Sequence, residues 1–351
     1  MKNNVIRSIQ RGTMNKPVDK DSSFPEWMVA ELTPKFSGKD VVIAGGTGMI
    51  GRQLAWLLAE SGARVLATGL EDFANAQQLL GREIDYAQID FTVAVPPGLL
   101  SGAEFVFNLL GTKGSVGIGE TKVASYLVPM LRYQSNLIEA AHKADVARFL
   151  FVSSVNVYPQ SELHFEDNAW SGLPLQNDRI PGIGKRVGEI LGLAYELEYG
   201  WDATRIVRPA NVYGAFDVID PVRSQVIPSL MMKFLSTSAE SIEVWGDGTA
   251  VRDFVYSKDM AYWFSRAITE LPPNFPTNLG SGQGISIREL ACQIRDVVAP
   301  SKEILFNASR PTGDPVRLLD VTRAVELMGY RPITTLKVGI TETLDWISSL
   351  A

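Results

Sequence analysis

Val41-Val42-Ile43-Ala44-Gly45-Gly46-Thr47-Gly48-Met49-Ile50-Gly51 is the stretch on which the fold turns. Its apolar first half reads as a strand covered on both faces, the pattern of a parallel sheet. The spacing Gly45, Gly48, Gly51 then makes a G-x-x-G-x-x-G turn, and a helical pattern follows at 52–61, with Leu54, Leu57 and Leu58 on one face and Gly62 ending it. Strand, glycine turn and helix in that order are the context a dinucleotide fingerprint needs. The first glycine permits the tight turn, the second lets backbone approach a pyrophosphate, and the third lets helix pack on strand. The helix N-terminus offers free N–H groups and a partial positive charge to phosphates. Thr47, Met49 and Ile50 lie inside this turn and join the three glycines as candidate cofactor-binding residues.

Further strands are expected at 64–68, 86–89, 105–109, 148–153 and 203–208, with helices at 126–144 and 185–199. Repeated β–α–β units imply an α/β fold, a Rossmann doubly wound parallel sheet with right-handed crossovers, over residues 38–214. Residues 1–37 read as an N-terminal extension, a flexible arm or a short helix on the surface. Beyond Gly214, Pro221, Pro228, Pro272, Pro273, Pro276, Pro311 and Pro315 break the pattern. Residues 215–351 are therefore expected to form a smaller C-terminal α/β substrate-binding region, with some segments returning to the main sheet. Ligands in such folds bind outside the carboxyl ends of the strands. There Asp90 could accept the adenine amino group with Phe91 beside it, and Asn108 and Gly111 would line the cofactor's floor.

An NAD site usually ends its second strand with an acidic residue that holds the ribose hydroxyls. In Ala67-Thr68-Gly69-Leu70-Glu71 that place falls on Gly69, with Glu71 and Asp72 slightly late. Arg52 could meet the 2′-phosphate of NADP or be a solvated helix residue, so NAD and NADP both stay open.

Composition narrows the partners. A net charge of −6 without a basic block argues against nucleic acid, whose phosphates call for clustered Lys and Arg. Cys292 is the only cysteine, and His142 and His164 are the only histidines. An internal disulfide is impossible and no metal site is expected. No apolar run approaches the roughly 20 residues that span a bilayer, so no membrane partner is expected. Residues 1–20 carry Lys2, Arg7, Arg11, Lys16 and Lys20 without the apolar core of a secretory signal, which points to a cytoplasmic protein.

Six separate motifs carry a family resemblance over roughly residues 38–351: Gly45 to Gly51; Ser153-Ser154-Val155-Asn156-Val157-Tyr158; Arg208-Pro209-Ala210-Asn211-Val212-Tyr213-Gly214; Val251-Arg252-Asp253-Phe254-Val255-Tyr256; Asn278-Leu279-Gly280-Ser281-Gly282; and Arg310-Pro311-Thr312-Gly313-Asp314-Pro315. The chain resembles the extended short-chain dehydrogenase/reductases, the NAD-dependent epimerase/dehydratase family, which act on nucleotide-diphosphate sugars. Gln134-Ser135-Asn136-Leu137-Ile138-Glu139-Ala140-Ala141 and Val226-Ile227-Pro228 are similar to the fucose-synthase group within it. The resemblance implies a bound nicotinamide dinucleotide, NAD or NADP, and a nucleotide-sugar epimerase, reductase or dehydratase. It places Ser154 at the reacting sugar oxygen and Lys185 on the nicotinamide ribose. Asn211 would lie near the substrate, and Arg252 and Arg310 would grip the diphosphate, as forked guanidinium groups do. It also implies a homodimer formed by helices 126–144 and 185–199. Tyr126, Leu127, Met130, Tyr133 and Leu137 form an apolar stripe on the first of these, which core packing would explain equally.

Three positions depart from the family. The tyrosine four residues before the lysine is Pro181 here, and the cysteine and histidine of the fucose-synthase group fall on Asn156 and Gln225. Neither amide exchanges a proton near neutral pH. A positioned acid or base contributes about 10²–10⁴-fold in rate, so its replacement matters. Proline also lacks an N–H and fixes φ, so the site is expected to be reshaped as well as emptied. Three readings follow. The enzyme uses another acid, with Lys113, His164, Glu166 or Lys185 acting through water as candidates. It oxidises and re-reduces a sugar with a tightly held cofactor. Or it binds dinucleotide or sugar nucleotide without turnover, as a sensor, scaffold or inactive partner subunit.

Overall fold

The computed structural model describes residues 24–81, 83–111, 123–220, 224–236, 239–310 and 314–350. The first half runs α1 (Glu26–Phe36), β1 (Asp40–Ala44), α2 (Met49–Glu60), β2 (Arg64–Gly69), α3 (Phe73–Leu80), β3 (Asp85–Gln88), β4 (Phe105–Asn108), α4 (Val123–Lys143), β5 (Arg148–Val152), β6 (Leu163–His164), α5 (Arg179–Tyr199), β7 (Thr204–Pro209) and β8 (Asn211–Tyr213). The second runs α6 (Val226–Ser236), β9 (Ser241–Trp245), β10 (Val251–Arg252), β11 (Phe254–Tyr256), α7 (Ser257–Glu270), β12 (Thr277–Leu279), β13 (Ile285–Ser286), α8 (Ile287–Val298), β14 (Glu303–Asn307), β15 (Val316–Leu319), α9 (Thr322–Met328) and α10 (Leu336–Ser349).

Seven strands form one sheet in the order β12-β7-β5-β4-β1-β2-β3. Every pairing in it is parallel. Strand order reverses between β1 and β4, and ligands of doubly wound sheets bind at that switch point. The apolar run of β1 divides by alternation: Val41 and Ile43 enter a core shared with α1, α2 and α7, while Val42 and Ala44 enter one shared with α4 and α5. Two-sided burial explains why these strands read as continuous apolar runs.

Residues 24–36 are not a surface attachment. Phe24, Met28, Leu32 and Phe36 are buried in the first core, and the Phe36 ring lies 4.9 Å from Phe105 of β4. The four-residue spacing puts one apolar edge of α1 on the sheet, and Glu31 and Lys35 on the other edge pair with Arg266 and Glu270 of α7. Burying each such side chain contributes about 1.5–3 kcal/mol.

The second half also returns to the main sheet. β12 closes its edge and α7 packs on α2. The remaining pieces make small ladders: β13-β10-β15-β6, β11-β8 and β14-β9. β6 comes from the first half, so the four-stranded ladder ties the two halves together.

Candidate active site

The glycine turn is built by contact. Gly45 adopts φ +84, and both Gly45 and Gly46 donate their N–H to Thr68 O at the end of β2. A Cβ on Gly51 would sit 2.1 Å from Gly45 O, so the third glycine lets the helix close on its own turn. The helix begins at Met49, earlier than the apolar pattern suggests, and Gly51 lies inside it. Its N-cap, Gly48, provides no side-chain bond, which leaves the first amides available to an anion. Among the other candidate cofactor residues, Asn108 is buried at the end of β4 and accepts from Leu110 N. Gly111 is exposed with open space around it. Asp90 is exposed, and one of its oxygens accepts from Thr92 N and Oγ1. The Phe91 ring is buried in the core and its carbonyl accepts from Asn136, so its backbone N–H is what remains for a ligand.

Lys185 sits beyond the ends of the neighbouring strands β4 and β5. Its ammonium donates to Val152 O at 2.7 Å and Leu110 O at 3.3 Å and lies 5.2 Å from the centre of the Phe151 ring. Desolvation pulls it down to about 8, with the charge of Glu189 opposing. Three N–H groups minus two carbonyls leaves one N–H to offer. Ser154 caps the short turn Val155–Val157 by accepting from Asn156 N at 3.2 Å, which leaves its O–H hydrogen to donate. Arg186, one residue past Lys185, braces the same turn through Val157 O.

Pro181 does not reshape its surroundings. It is the third residue of α5, where an N–H has no intrahelical partner. The helix starts six residues before Lys185 and runs on regularly; it was expected to begin only at Lys185. Next to it, a Cβ on Gly182 would lie 2.2 Å from Asn156 O, so the helix start rests directly on the Asn156 turn. Pro181 therefore costs α5 no intrahelical hydrogen bond.

The two candidate diphosphate arginines, Arg252 and Arg310, have different surroundings. Register in the parallel pair β10–β15 sets Arg252 beside Arg317. Arg317 pairs with Asp178 and, at 2.7 Å, with Asp314, and points Nη1 toward Asn156 Oδ1 at 3.5 Å. Arg252 donates to Asp314 O at 2.7 Å. Burial, then Arg317's charge, lowers the Arg252 guanidinium. Arg310 lies 5.2 Å from the centre of the Trp245 ring, next to the β9–β14 ladder. Ser154, Asn156, Lys185, Arg252 and Arg317 are thus brought to one region. Arg317 was not singled out in the sequence; only the strand register reveals it. Asn211 spends its amide N–H on Asp253 O at 2.8 Å inside the β8–β11 ladder, and Gln225 is exposed at the start of α6.

Of the substitute acids, Lys113 lies outside the described residues. His164 is 1% exposed, stacks on Tyr158 at 4.8 Å, and has no hydrogen-bond partner on either ring nitrogen among the described residues. Burial first, then Arg317, pushes it down to about 4, so it is neutral near pH 7. Glu166 is buried and accepts from Asn278 N at 2.9 Å, which makes it part of the scaffold. The buried Arg208–Glu189 pair, with Tyr158 bonded to both Arg208 and Asn278, belongs to that scaffold too.

A sequence model of the NAD dependent epimerase/dehydratase family matches residues 41–280. The chain belongs to this family. GDP-L-fucose synthase of Escherichia coli (strain K12) is 32% identical over 325 residues, 88% of this chain and 97% of that protein. The fold is shared with UDP-N-acetylglucosamine 4-epimerase of Methanobrevibacter ruminantium M1, solved with UDP-N-acetylmuramic acid: TM-score 0.79, 22% identity, 90% of this chain and 100% of the other. It is shared also with a GDP-mannoheptose C4 reductase of Campylobacter jejuni solved with NADP: TM-score 0.72, 22% identity, 89% and 98%. The family's nicotinamide dinucleotide fits the residues present. The uncapped helix start after Gly48 leaves backbone amides of the Gly45–Gly51 turn for a pyrophosphate. Among the described residues no group of His, Cys, Asp and Glu could hold a metal, and no helix is long and apolar enough to cross a membrane.

Proposed function

We propose that this protein is a nucleotide-sugar oxidoreductase or epimerase in which Lys185 moves the proton that a tyrosine moves elsewhere in the family. The observation that carries the reading is the pair Pro181 and Lys185. Pro181 stands where the family resemblance puts the acid, and the lysine one turn further on is tethered by two carbonyls with one N–H left over. The bound nicotinamide dinucleotide supplies or accepts the hydride at a sugar carbon. Ser154 donates a hydrogen bond to the reacting oxygen, and Lys185 passes the proton through a water in the place vacated at residue 181. Arg252 and Arg317 hold the diphosphate, with Asp314 and Asp178 keeping both guanidinium groups in position. Asn156 borders the sugar site and orients rather than protonates.

The reading includes a homodimer and a cytoplasmic location. The stripe at Met130, Tyr133 and Leu137 is buried in the protein's own core, so it is not the contact surface. Ile190, Leu193 and Leu197 on α5, exposed by 47%, 44% and 77%, with Val128 of α4, offer an apolar face instead. The site is tested by mixing the NADH-loaded protein with 4-keto nucleotide sugars and following nicotinamide absorbance. Loss of absorbance with a GDP- or dTDP-linked sugar supports turnover. Binding of sugar nucleotide without any absorbance change, in either redox direction, would instead establish the non-catalytic role.

A further inference from the structure

Tyr126 opens the apolar stripe of α4, yet it does not end in the core as Met130, Tyr133 and Leu137 do. It is half-buried at the edge of the cluster that those three residues help to fill, and Leu110 lies against the same cluster. Leu110 O is one of the two carbonyls that hold the Lys185 ammonium.

The packing of α4 on α5 sets the level at which Tyr126 stands. A Cβ on Gly184 would lie 2.4 Å from Met130 Sδ and 3.2 Å from Leu127 Cδ1. A Cβ on Gly188 would lie 2.6 Å from Gln134 Oε1. One turn along α4, from Met130 to Gln134, thus matches one turn along α5, from Gly184 to Gly188, so the helices run side by side in one direction. One turn before Met130 is Tyr126, and one turn before Gly184 is Ile180, the neighbour of Pro181. The phenol feels the same end of α5: burial first, then the charge of Asp178, raises its pKa. Asp178 in turn pairs with Arg317, whose Nη1 points toward Asn156 Oδ1.

We propose that Tyr126 supplies from α4 the phenol that α5 lacks at Pro181, as the last link of a proton relay that starts at Lys185. When a keto sugar takes a hydride from the bound dinucleotide at its carbonyl carbon, the C=O π bond opens and the oxygen needs a proton. The Tyr126 O–H gives that proton and takes one from the water that Lys185 serves. The lysine ends neutral and the tyrosine unchanged. A phenol raised above its ordinary range stays protonated near neutral pH, so it donates only as it is refilled and leaves no lasting phenolate. The inference rests on the lysine reading above and adds the group that touches the sugar oxygen.

Stopped-flow reduction of 4-keto nucleotide sugars by the NADH-loaded protein tests it in Tyr126→Phe, which removes only the hydroxyl. The single-turnover rate is expected to fall about 10²–10⁴-fold. The Kd for NADH and for the sugar nucleotide should stay within about twofold of wild type, with an unchanged Tm. Adding Pro181→Tyr to Tyr126→Phe should restore much of the rate, a rescue that a merely structural tyrosine would not show. A Tyr126→Phe protein at the wild-type rate, or one whose loss of rate is matched by equal losses in affinity or Tm, would overturn the relay. If Lys185→Met is slowed and Tyr126→Phe is not, the lysine reading stands and Tyr126 alone is excluded. If wild type oxidises NADH with none of these sugars, the catalytic reading fails and takes the relay with it.

Discussion

Replacing Gly51 by alanine probes the turn that everything else is built around. The new Cβ would lie 2.1 Å from Gly45 O, 2.9 Å from Gly46 Cα and 3.0 Å from Gly45 C. Carbon and carbonyl oxygen make contact at about 3.3–3.6 Å, so the helix and the turn must separate by roughly 1.2 Å. No flexible side chain is there to yield, because all three atoms are backbone. Gly46 cannot retreat either, since its own Cβ position is 2.5 Å from Ala67 Cβ. Overpacking of this kind costs about 1–3 kcal/mol, a fall in Tm of about 1–4 °C for 351 residues. The larger effect falls on the helix amides. Moved by that much, they lose charge-assisted bonds to the pyrophosphate, and the dinucleotide Kd rises about 10- to 100-fold. Gly48→Ala is the internal control. Its Cβ meets only Gly45 O, at 3.3 Å, and its φ of −70 suits any residue. It is expected to cost under about 1 kcal/mol of stability, while its Cβ, placed where the pyrophosphate approaches, still weakens binding. Calorimetry and thermal melts on both variants check this. A Gly51→Ala protein that binds within twofold of wild type refutes the reasoning, as does a Gly48→Ala protein that is equally destabilised.

Three further outcomes follow from the site and its scaffold. Arg317→Ala removes the partner of Asp178 and Asp314, and should raise the KM for the nucleotide sugar about 10- to 100-fold while leaving the dinucleotide Kd unchanged. Equal losses in both would show that Arg317 merely supports the fold. His164 has a folded-state pKa of about 4 against 6.5 when unfolded, so the unfolded chain takes up its proton first as pH falls. Folding stability should drop by up to about 1.4 kcal/mol per pH unit between 6.5 and 4, and His164→Phe should flatten that slope in urea unfolding series at pH 7, 6 and 5; an identical slope in both proteins would discount the histidine. Leu197→Glu with Leu193→Lys should convert a dimer to monomer in sedimentation, and a wild-type protein that sediments as a monomer would remove the proposed α5 interface.

What the sequence discloses depends on how local the cause is. The central strands were legible because burial on both faces leaves an unbroken apolar run, and the glycine turn because its spacing is dictated by backbone geometry. The start of α2 was placed too late since glycines that make a turn and glycines that admit close helix packing look alike in sequence. The core role of Met28, Leu32 and Phe36 depends on residues far along the chain, such as Phe105 of β4, against which Phe36 packs. Arg317 escaped notice because strand register, not spacing, sets it beside Arg252. Glu71 stands two positions past the strand end, and only the tertiary structure folds its side chain back over Gly69. At Pro181 the sequence suggests a reshaped backbone, but the first turn of α5 has no intrahelical hydrogen bond there to lose.

The proton step decides between this account and its rivals, and the pH dependence of hydride transfer measures it. Reduction of a 4-keto nucleotide sugar by bound NADH needs Lys185 protonated. Single-turnover rates should therefore fall as pH rises through about 8, the point to which burial lowers its ammonium. Lys185→Met should abolish that inflection and slow the reaction by about 10²–10⁴-fold, and Pro181→Tyr should restore much of the rate in the Lys185→Met background. A rate that is independent of pH from 6 to 10, or unchanged in Lys185→Met, would contradict the account.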